Sequence, residues 1–194
     1  ATSRLSAGGA ATSAMLELTG STGYLIAPDG SVYSGPIGGT WSKAGTASCQ
    51  PGAAQPGGLP SGVQLAVQDA SHLALACASA AGGSTVYTST DGGATWSARA
   101  APGAASTGTL TSLAAAPGGT LVLATANGIY VLPAGGTNWQ SASTASGSGL
   151  PSGGFSYVGM TSDTQGVAVP ANTSLHEVWL TSDGGLTWSP SPIG

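Results

Sequence analysis

Short apolar runs recur along the chain, and glycine, proline, asparagine or aspartate bounds each of them. A typical pair lies at residues 63–67 and 73–77, with a polar turn at residues 69–72 between them. Runs of this length between turn residues predict β-strands joined by hairpins, and no segment shows a sustained helical period. The strand pairs predicted in this way are 15–18 with 24–27, 63–67 with 73–77, 110–115 with 121–124, and 155–160 with 167–169. The chain is therefore predicted to be all-β.

A turn motif follows each predicted strand pair. Two intact copies read STDGGATW at residues 89–96 and TSDGGLTW at residues 181–188. Two weaker copies keep the glycines and the tryptophan, but Ala134 and Ile37 stand where the aspartate is expected. A β-branched residue and an aromatic residue precede every copy. Each repeat therefore consists of three strands, the turn motif and a fourth strand that starts at the tryptophan.

Four-stranded repeats of roughly 43 to 54 residues are typical of β-propeller blades. We predict one propeller domain over residues 1–194, with blades at approximately 13–47, 61–100, 108–143 and 154–194. The four blades either close on themselves or belong to a larger ring, completed by additional blades of a longer chain or by a second copy.

The last blade is expected to have a poor outer strand. Proline cannot donate to a strand ladder, and Pro190 and Pro192 both fall in the segment where that strand is due. Residues 3–11 resemble the segment that follows an intact motif in the second blade, so they are a candidate replacement strand.

The intact motifs resemble the Asp-box, or BNR repeat, found in sialidase-like and photosystem II assembly-factor-like propellers. The resemblance covers nearly the whole chain, and it implies a structural turn on the face opposite the ligand-binding face. In such a turn the aspartate accepts hydrogen bonds, glycine supplies a left-handed conformation, threonine braces the turn and tryptophan covers the joint between blades. The residues expected in these roles are Asp91, Gly93, Thr95 and Trp96, and their equivalents Asp183, Gly185, Thr187 and Trp188.

Charged residues are scarce. The chain has three Lys and Arg against seven Asp and Glu, for a net charge of −4, and it has 33 glycines. Three basic residues cannot neutralise a row of phosphates, so nucleic-acid binding is not expected. No apolar run approaches the roughly 20 residues of a transmembrane helix, so membrane insertion is not expected either.

The two cysteines suggest an oxidising compartment. Cys49 and Cys77 lie 28 residues apart and form a candidate disulfide, although two buried free thiols are the alternative. A disulfide, together with abundant Ser, Thr, Gly and Ala, favours a secreted or otherwise extracytoplasmic protein.

No catalytic, cofactor-binding or metal site is predicted. A sialidase-type site needs a cluster of arginines, and the chain has only Arg4 and Arg99. Ordinary glycoside hydrolysis needs two facing carboxylates. Asp69 and Asp163 are expected at equivalent turns, Asp29 in a hairpin, and the two histidines and two cysteines lack zinc-site spacing. The chain is therefore expected not to be an enzyme by itself.

Loops opposite the box turns are the candidate binding face. Lys43, Arg99, His176 and Glu177 lie in or beside these long connections, where propeller scaffolds commonly carry function. The preferred hypothesis is an exported, non-catalytic binding or scaffold module that meets a protein or a glycan there. The alternatives are a segment of a carbohydrate-active enzyme, sialidase-like or a glycoside hydrolase, and a structural subunit of an extracellular assembly.

Overall fold

A computed structural model describes residues 15–27, 29–47, 49, 63–78, 84–102 and 108–194. These ranges contain short strands and one single-turn 3₁₀ helix, Thr173–Leu175. No helix in them is long and apolar enough to cross a membrane. The strands are β1 (Met15–Thr19), β2 (Thr22–Ile26), β3 (Ser31–Pro36), β4 (Ser42–Thr46), β5 (Val63–Val67), β6 (Leu73–Ala78), β7 (Ser84–Ser89), β8 (Ser97–Arg99), β9 (Leu110–Ala115), β10 (Leu121–Thr125), β11 (Gly128–Leu132), β12 (Gln140–Ser141), β13 (Ser143–Thr144), β14 (Phe155–Met160), β15 (Gly166–Pro170), β16 (Glu177–Thr181) and β17 (Thr187–Pro192).

The strands form four propeller blades, which confirms the predicted fold. Blade 1 is β1–β4, blade 2 is β5–β8, blade 3 is β9–β12 and blade 4 is β14–β17, each an antiparallel meander. In a meander the first-to-second and third-to-fourth connections lie at one end of the sheet. We name that end the box face, because it carries the box turns, and the opposite end the loop face.

The hydrophobic core lies between blades rather than inside any one of them. One buried cluster joins blades 1 and 2, a second joins blades 2 and 3, and a third joins blades 3 and 4. Because β-strand side chains alternate, each inner blade sends one row of side chains to each neighbour. Consequently β10 is buried at all five positions, while β1 in the first blade alternates between half-buried and exposed.

The outer edge of blade 4 differs from the expectation of a poor outer strand. β17 forms in spite of its prolines and pairs with β16 from Leu180↔Ser189 to Glu177↔Pro192. Proline is compatible with an edge strand because the free edge needs no donor. The short β13, which follows the outer strand of blade 3, lies parallel to the start of β17. The N-terminal segment proposed as a replacement strand lies outside the described residues.

A disulfide reinforces the contact between blades 1 and 2. Cys49 follows the outer strand of blade 1, and its sulfur bonds to that of Cys77 in β6, with a Cα–Cα distance of 6.0 Å. Both residues belong to the buried cluster between these blades. The two cysteines are 28 residues apart in the sequence. A disulfide that closes a loop of this length stabilises the fold by roughly 3–4 kcal/mol, because it restricts the unfolded chain.

Candidate functional site

The two intact box turns use their aspartates for internal hydrogen bonding. Asp91 Oδ1 accepts from the backbone N–H of Thr95 (2.8 Å) and from Ser89 Oγ (2.8 Å), while Oδ2 accepts from Thr95 Oγ1 (2.6 Å). Trp96 Nε1 donates to the carbonyl oxygen of Gly93 (3.1 Å). Blade 4 repeats the arrangement with Thr181, Asp183, Thr187 and Trp188.

These hydrogen bonds keep the box aspartates ionised. The hydroxyl and backbone N–H of Thr95, with Ser89, lower the pKa of Asp91 to about 2. Partial burial opposes ionisation of Asp183, but the hydrogen bonds from Thr187 and Thr181 outweigh it and hold its pKa below the ordinary value. Oxygen atoms that are occupied in this way are poorly placed to act on a substrate.

The weaker box copies form a different turn. In blade 1 the N–H of Gly39 donates to the carbonyl oxygen of Pro36 (3.0 Å), and in blade 3 that of Gly136 donates to Pro133 (2.8 Å). Each of these turns closes over two residues, so no aspartate is needed to hold it.

Hydrogen bonds on the box face link successive blades at their first-to-second turns, with the donor from β2 in the case of blade 1. Tyr24 Oη donates to the carbonyl oxygen of Ala70 (2.8 Å), and Gln68 Nε2 donates to that of Pro117 (2.8 Å). The carboxylate of Asp163 accepts from the backbone N–H of Gly118.

Asp69 and Asp163 lie in equivalent turns, as expected, but they differ by one position within the turn. The hairpin bonds of blades 2 and 4 align Asp69 with Ser162, and Ala70 with Asp163. Asp69 caps its own turn by accepting from the N–H groups of Ser71 (2.7 Å) and His72 (2.9 Å). Asp163 instead reaches the preceding blade.

A crevice of about 240 Å³ opens on the box face between blades 2 and 3. Blade 2 supplies Gln68, His72, Thr88 and Arg99, and blade 3 supplies backbone from the turn at Gly118 and Gly119. The box turns of both blades also line the crevice, through Thr90 and Gly135. It has both polar and apolar walls and lies beside the buried cluster that joins these blades.

Asp69 and His72 form an ion-pair geometry at the edge of this crevice. His72 Nδ1 lies 2.8 Å from Asp69 Oδ2, and both side chains are 48 % exposed. The N–H groups of Ser71 and His72, with a smaller contribution from the His72 ring, lower the pKa of Asp69 to about 2. The arrangement resembles the acid–base half of a nucleophilic triad. No hydroxyl in the described part of the chain bonds to Nε2 of His72.

Arg99 is the cation of the crevice. It stands at the loop-face end of β8, but its side chain runs back along the strand, and Nε donates to Thr88 Oγ1 (3.1 Å). Among the described residues no carboxylate lies within ion-pair distance of the guanidinium. The terminal nitrogens of a guanidinium can bind a carboxylate through two parallel hydrogen bonds.

The other three candidate loop residues lie in blades 1 and 4, apart from Arg99 in blade 2. Lys43 lies in β4 of blade 1, exposed, and its charge contributes to lowering the pKa of Asp29, after the larger effect of the Ser31 hydrogen bonds. His176 closes the 3₁₀ turn in a left-handed conformation, with φ of 49°. Glu177 accepts from Trp179 Nε1 (2.8 Å) within blade 4. The structure therefore gives no single site on the loop face that combines them.

The described ranges contain no group of three His, Cys, Asp or Glu residues arranged to hold a metal ion. Gln68, Asp69 and His72 were not among the candidate binding residues. The turn signal at residues 69–72 includes Asp69 and His72 and directly follows Gln68. Only the stacking of blades 2 and 3 places these residues beside a cleft.

No protein-family model matches the sequence, and no curated protein matches it significantly. Solved structures match the fold. YCF48 from Cyanidioschyzon merolae aligns with a TM-score of 0.52 at 18 % identity, over 94 % of this chain and 57 % of that chain. YCF48 bound to D1 peptide aligns with a TM-score of 0.52 at 16 % identity, over 87 % and 50 % of the two chains. The GH74 xyloglucanase from Xanthomonas campestris aligns with a TM-score of 0.56 at 20 % identity, over 90 % and 29 %.

The chain has the fold of these propellers. It spans about half the length of the YCF48 chains and less than a third of the xyloglucanase chain. At these identities the likeness concerns the fold, and the blade architecture is what the proteins share.

Proposed function

We propose that this protein is an exported, non-catalytic binding module that holds a segment of a partner protein through an acidic group seated in the crevice between blades 2 and 3. The observation that carries the proposal is Arg99, a cation that lines this cleft and has no carboxylate partner among the described residues. Thr88 holds the guanidinium through Nε, which leaves the two terminal nitrogens as the groups for bidentate binding of a carboxylate.

The size of the crevice favours one side chain over a long ligand. Small-molecule sites commonly enclose about 300–1,000 Å³, and this cleft is smaller. Glu and Asp side chains and a chain-terminal carboxylate are of the right size and charge. YCF48 bound to D1 peptide is a precedent for peptide binding by a propeller of this fold.

The acidic residues support a non-catalytic role. Every Asp and Glu except Glu17 accepts a hydrogen bond from the chain itself. Two-carboxylate glycoside hydrolysis needs a general acid and a second carboxylate that face one substrate. The disulfide between Cys49 and Cys77 supports an extracytoplasmic location, because such bridges persist in oxidising compartments.

An NMR titration tests the proposal directly. The chain has only two arginines, Arg4 and Arg99, so the two Nε–Hε signals can be assigned with one Arg99→Lys variant. The probe is a set of short random peptides synthesised in matched pairs, one with Glu and the other with Gln at a single position. We expect some Glu peptides, and not their Gln partners, to shift the Arg99 signal.

Two substitutions give the matched comparison. Arg99→Ala should weaken binding of those peptides at least about tenfold, the size expected for a charge-assisted pair. Lys43→Ala removes an equal charge outside the crevice and should leave the affinity unchanged. Equal binding of Glu and Gln peptides, or equal losses in both variants, would refute the proposal.

A further inference from the structure

Blade 1 carries an apolar surface on the side that faces away from blade 2. We name it the leading face, and it consists of Leu16, Leu18, Leu25, Tyr33 and Trp41. Leu16 is 54 % exposed and Leu18 is 56 % exposed. The Trp41 ring lies over Gly23 and Gly35, where a Cβ would meet its atoms closer than 3 Å.

The same positions are buried in the other blades. Strand register aligns the Leu16↔Leu25 pair of blade 1 with the Leu65↔Leu75 pair of blade 2. Leu65 and Leu75 are 1 % and 0 % exposed, because they pack on blade 1. In blade 4 the equivalent pair, Val158↔Ala168, is buried against blade 3. The leading face is thus a blade-packing surface on which no blade of the described residues packs.

Blade 4 carries the complementary surface on the side that faces away from blade 3. We name it the trailing face, and it consists of Tyr157, Val167, Val169, Val178 and Leu180. Tyr157 is 52 % exposed and Leu180 is 47 % exposed. The equivalent side chains in blade 3 are Ser112, Val122, Ala124, Ile129 and Val131. All five are buried, and four of them belong to the cluster that packs on blade 4.

One chain therefore presents both halves of a blade-to-blade interface. The buried clusters of the described residues join blades 1 to 2, 2 to 3 and 3 to 4, and none of them joins blade 4 to blade 1. The ten residues of the two faces are uncharged, and the charge beside them is Lys43, the partner of Tyr33 in β4 at the outer edge of the leading face. The partner that fits each face is a blade built like those of this chain.

We propose that two copies of this chain associate head to tail, with the trailing face of each on the leading face of the other. The same contact occurs twice, so a two-fold axis closes the assembly and leaves neither face exposed. Two sets of four blades give eight, which lies within the range of known propellers, about four to eight. The second copy is preferred over an unrelated partner because the two faces already match each other position by position.

Sedimentation equilibrium of the 194-residue chain tests the assembly. The expected mass is twice the 18.4 kDa of the chain at concentrations above about 10 µM. Leu16→Glu and Leu180→Glu each place a carboxylate in both contacts, and each should raise the dimer dissociation constant at least about 100-fold. Both positions are about half exposed in the single chain, so the variants should fold, which circular dichroism checks. Leu175→Glu, at an exposed leucine outside both faces, is the matched control and should stay dimeric.

Mixing the two variants distinguishes head-to-tail pairing from other contacts. In a mixed pair, both substitutions fall in one interface and the other interface is native, so an equimolar mixture should recover dimer that neither variant forms alone. A dimer that survives Leu180→Glu would indicate contact between two leading faces and would overturn the proposal. An 18.4 kDa wild-type species at about 100 µM, or a series of larger open polymers, would also overturn it.

Discussion

At the scale of single residues, the carboxylates of this protein fall into two electrostatic situations. Asp91 accepts three hydrogen bonds inside its box turn, and these favour the ionised form. Glu17 lies half-buried on the inner strand of blade 1, and burial raises its pKa above the ordinary value. The two residues should therefore change stability with pH in opposite directions.

Removing the Asp91 charge should lower stability at neutral pH but not near pH 2. Because the folded-state pKa is about 2, below the ordinary 3.8, the contribution is complete above about pH 4 and disappears as the pH falls towards 2. Asp91→Asn should therefore have a lower Tm than the wild type at pH 7 and about the same Tm as the wild type near pH 2. Thermal unfolding followed at both pH values measures this, and a Tm difference that does not depend on pH would contradict it.

Glu17→Gln is the control with the opposite sign. Its raised folded-state pKa means that ionisation is penalised in the fold, so the penalty applies at high pH and vanishes below about pH 4.5. The variant should equal the wild type at low pH and exceed it in Tm at pH 7. If both substitutions lower the Tm at pH 7, the pH argument fails.

At the scale of elements, an intact box turn is also a contact between blades. Gly93 adopts φ of +92°, and a Cβ on it would lie 3.0 Å from Val32 Cγ1 in the preceding blade. A Cβ on Gly185 would likewise lie 3.2 Å from Val122 and 3.3 Å from Val131 in blade 3. By contrast, Gly38 in the weaker box of blade 1 has a φ of +79° with open space around its Cβ position.

Gly93→Ala should cost more stability than Gly38→Ala. Both substitutions force an L-residue into a left-handed conformation, which costs about 1–2 kcal/mol. Only Gly93→Ala also brings a Cβ too close to Val32, and this costs about 1–2 kcal/mol more. Urea unfolding midpoints of the two variants measure the difference. Adding Val32→Ala to Gly93→Ala should recover part of the contact cost, whereas equal losses in the two single variants would show that the approach to Val32 is unimportant.

The strands that could be predicted from the sequence are those with a local signal. Val63–Val67 and Leu110–Ala115 are short apolar runs bounded by turn residues, and the predicted bounds match the strands of the structure. β13 carries no such signal, because two residues have no period and its partner β17 lies more than 40 residues away. β17 was expected, but only as a poor strand, because strand propensity argues against the prolines that an edge position tolerates.

The candidate site was predictable only in part. The residues of the box turns follow from a motif in one segment, and their hydrogen bonds are local. Arg99 was identified as a loop cation, but its path back to Thr88 depends on side-chain packing. That His72 lines one crevice with a turn of blade 3 depends on how two sheets stack, which no short stretch of sequence records.

At the scale of the whole molecule, the few charges work mainly inside the fold. The 194 residues include three basic and seven acidic ones. All the acidic residues except Glu17 accept hydrogen bonds from the chain itself. The trailing face carries none of these charges, and the leading face is bordered by one, Lys43, which lies opposite Tyr33 in β4. Charged side chains normally discourage association of exposed sheets, so their scarcity here favours contact with another blade.

Blade order should also determine local stability, because each blade packs only on its neighbours. β6 and β10 are covered by a blade on both sides, whereas β1 and β14 each lie in a blade with one uncovered face. In the Leu16→Glu variant, hydrogen exchange should therefore be slowest in β6 and β10 and fastest in blade 1. The wild type above about 10 µM should gain protection in blades 1 and 4 only, because association covers their open faces. Mass spectrometry of peptic peptides resolves these segments, and uniform exchange along the chain would show that the four blades unfold as one unit instead.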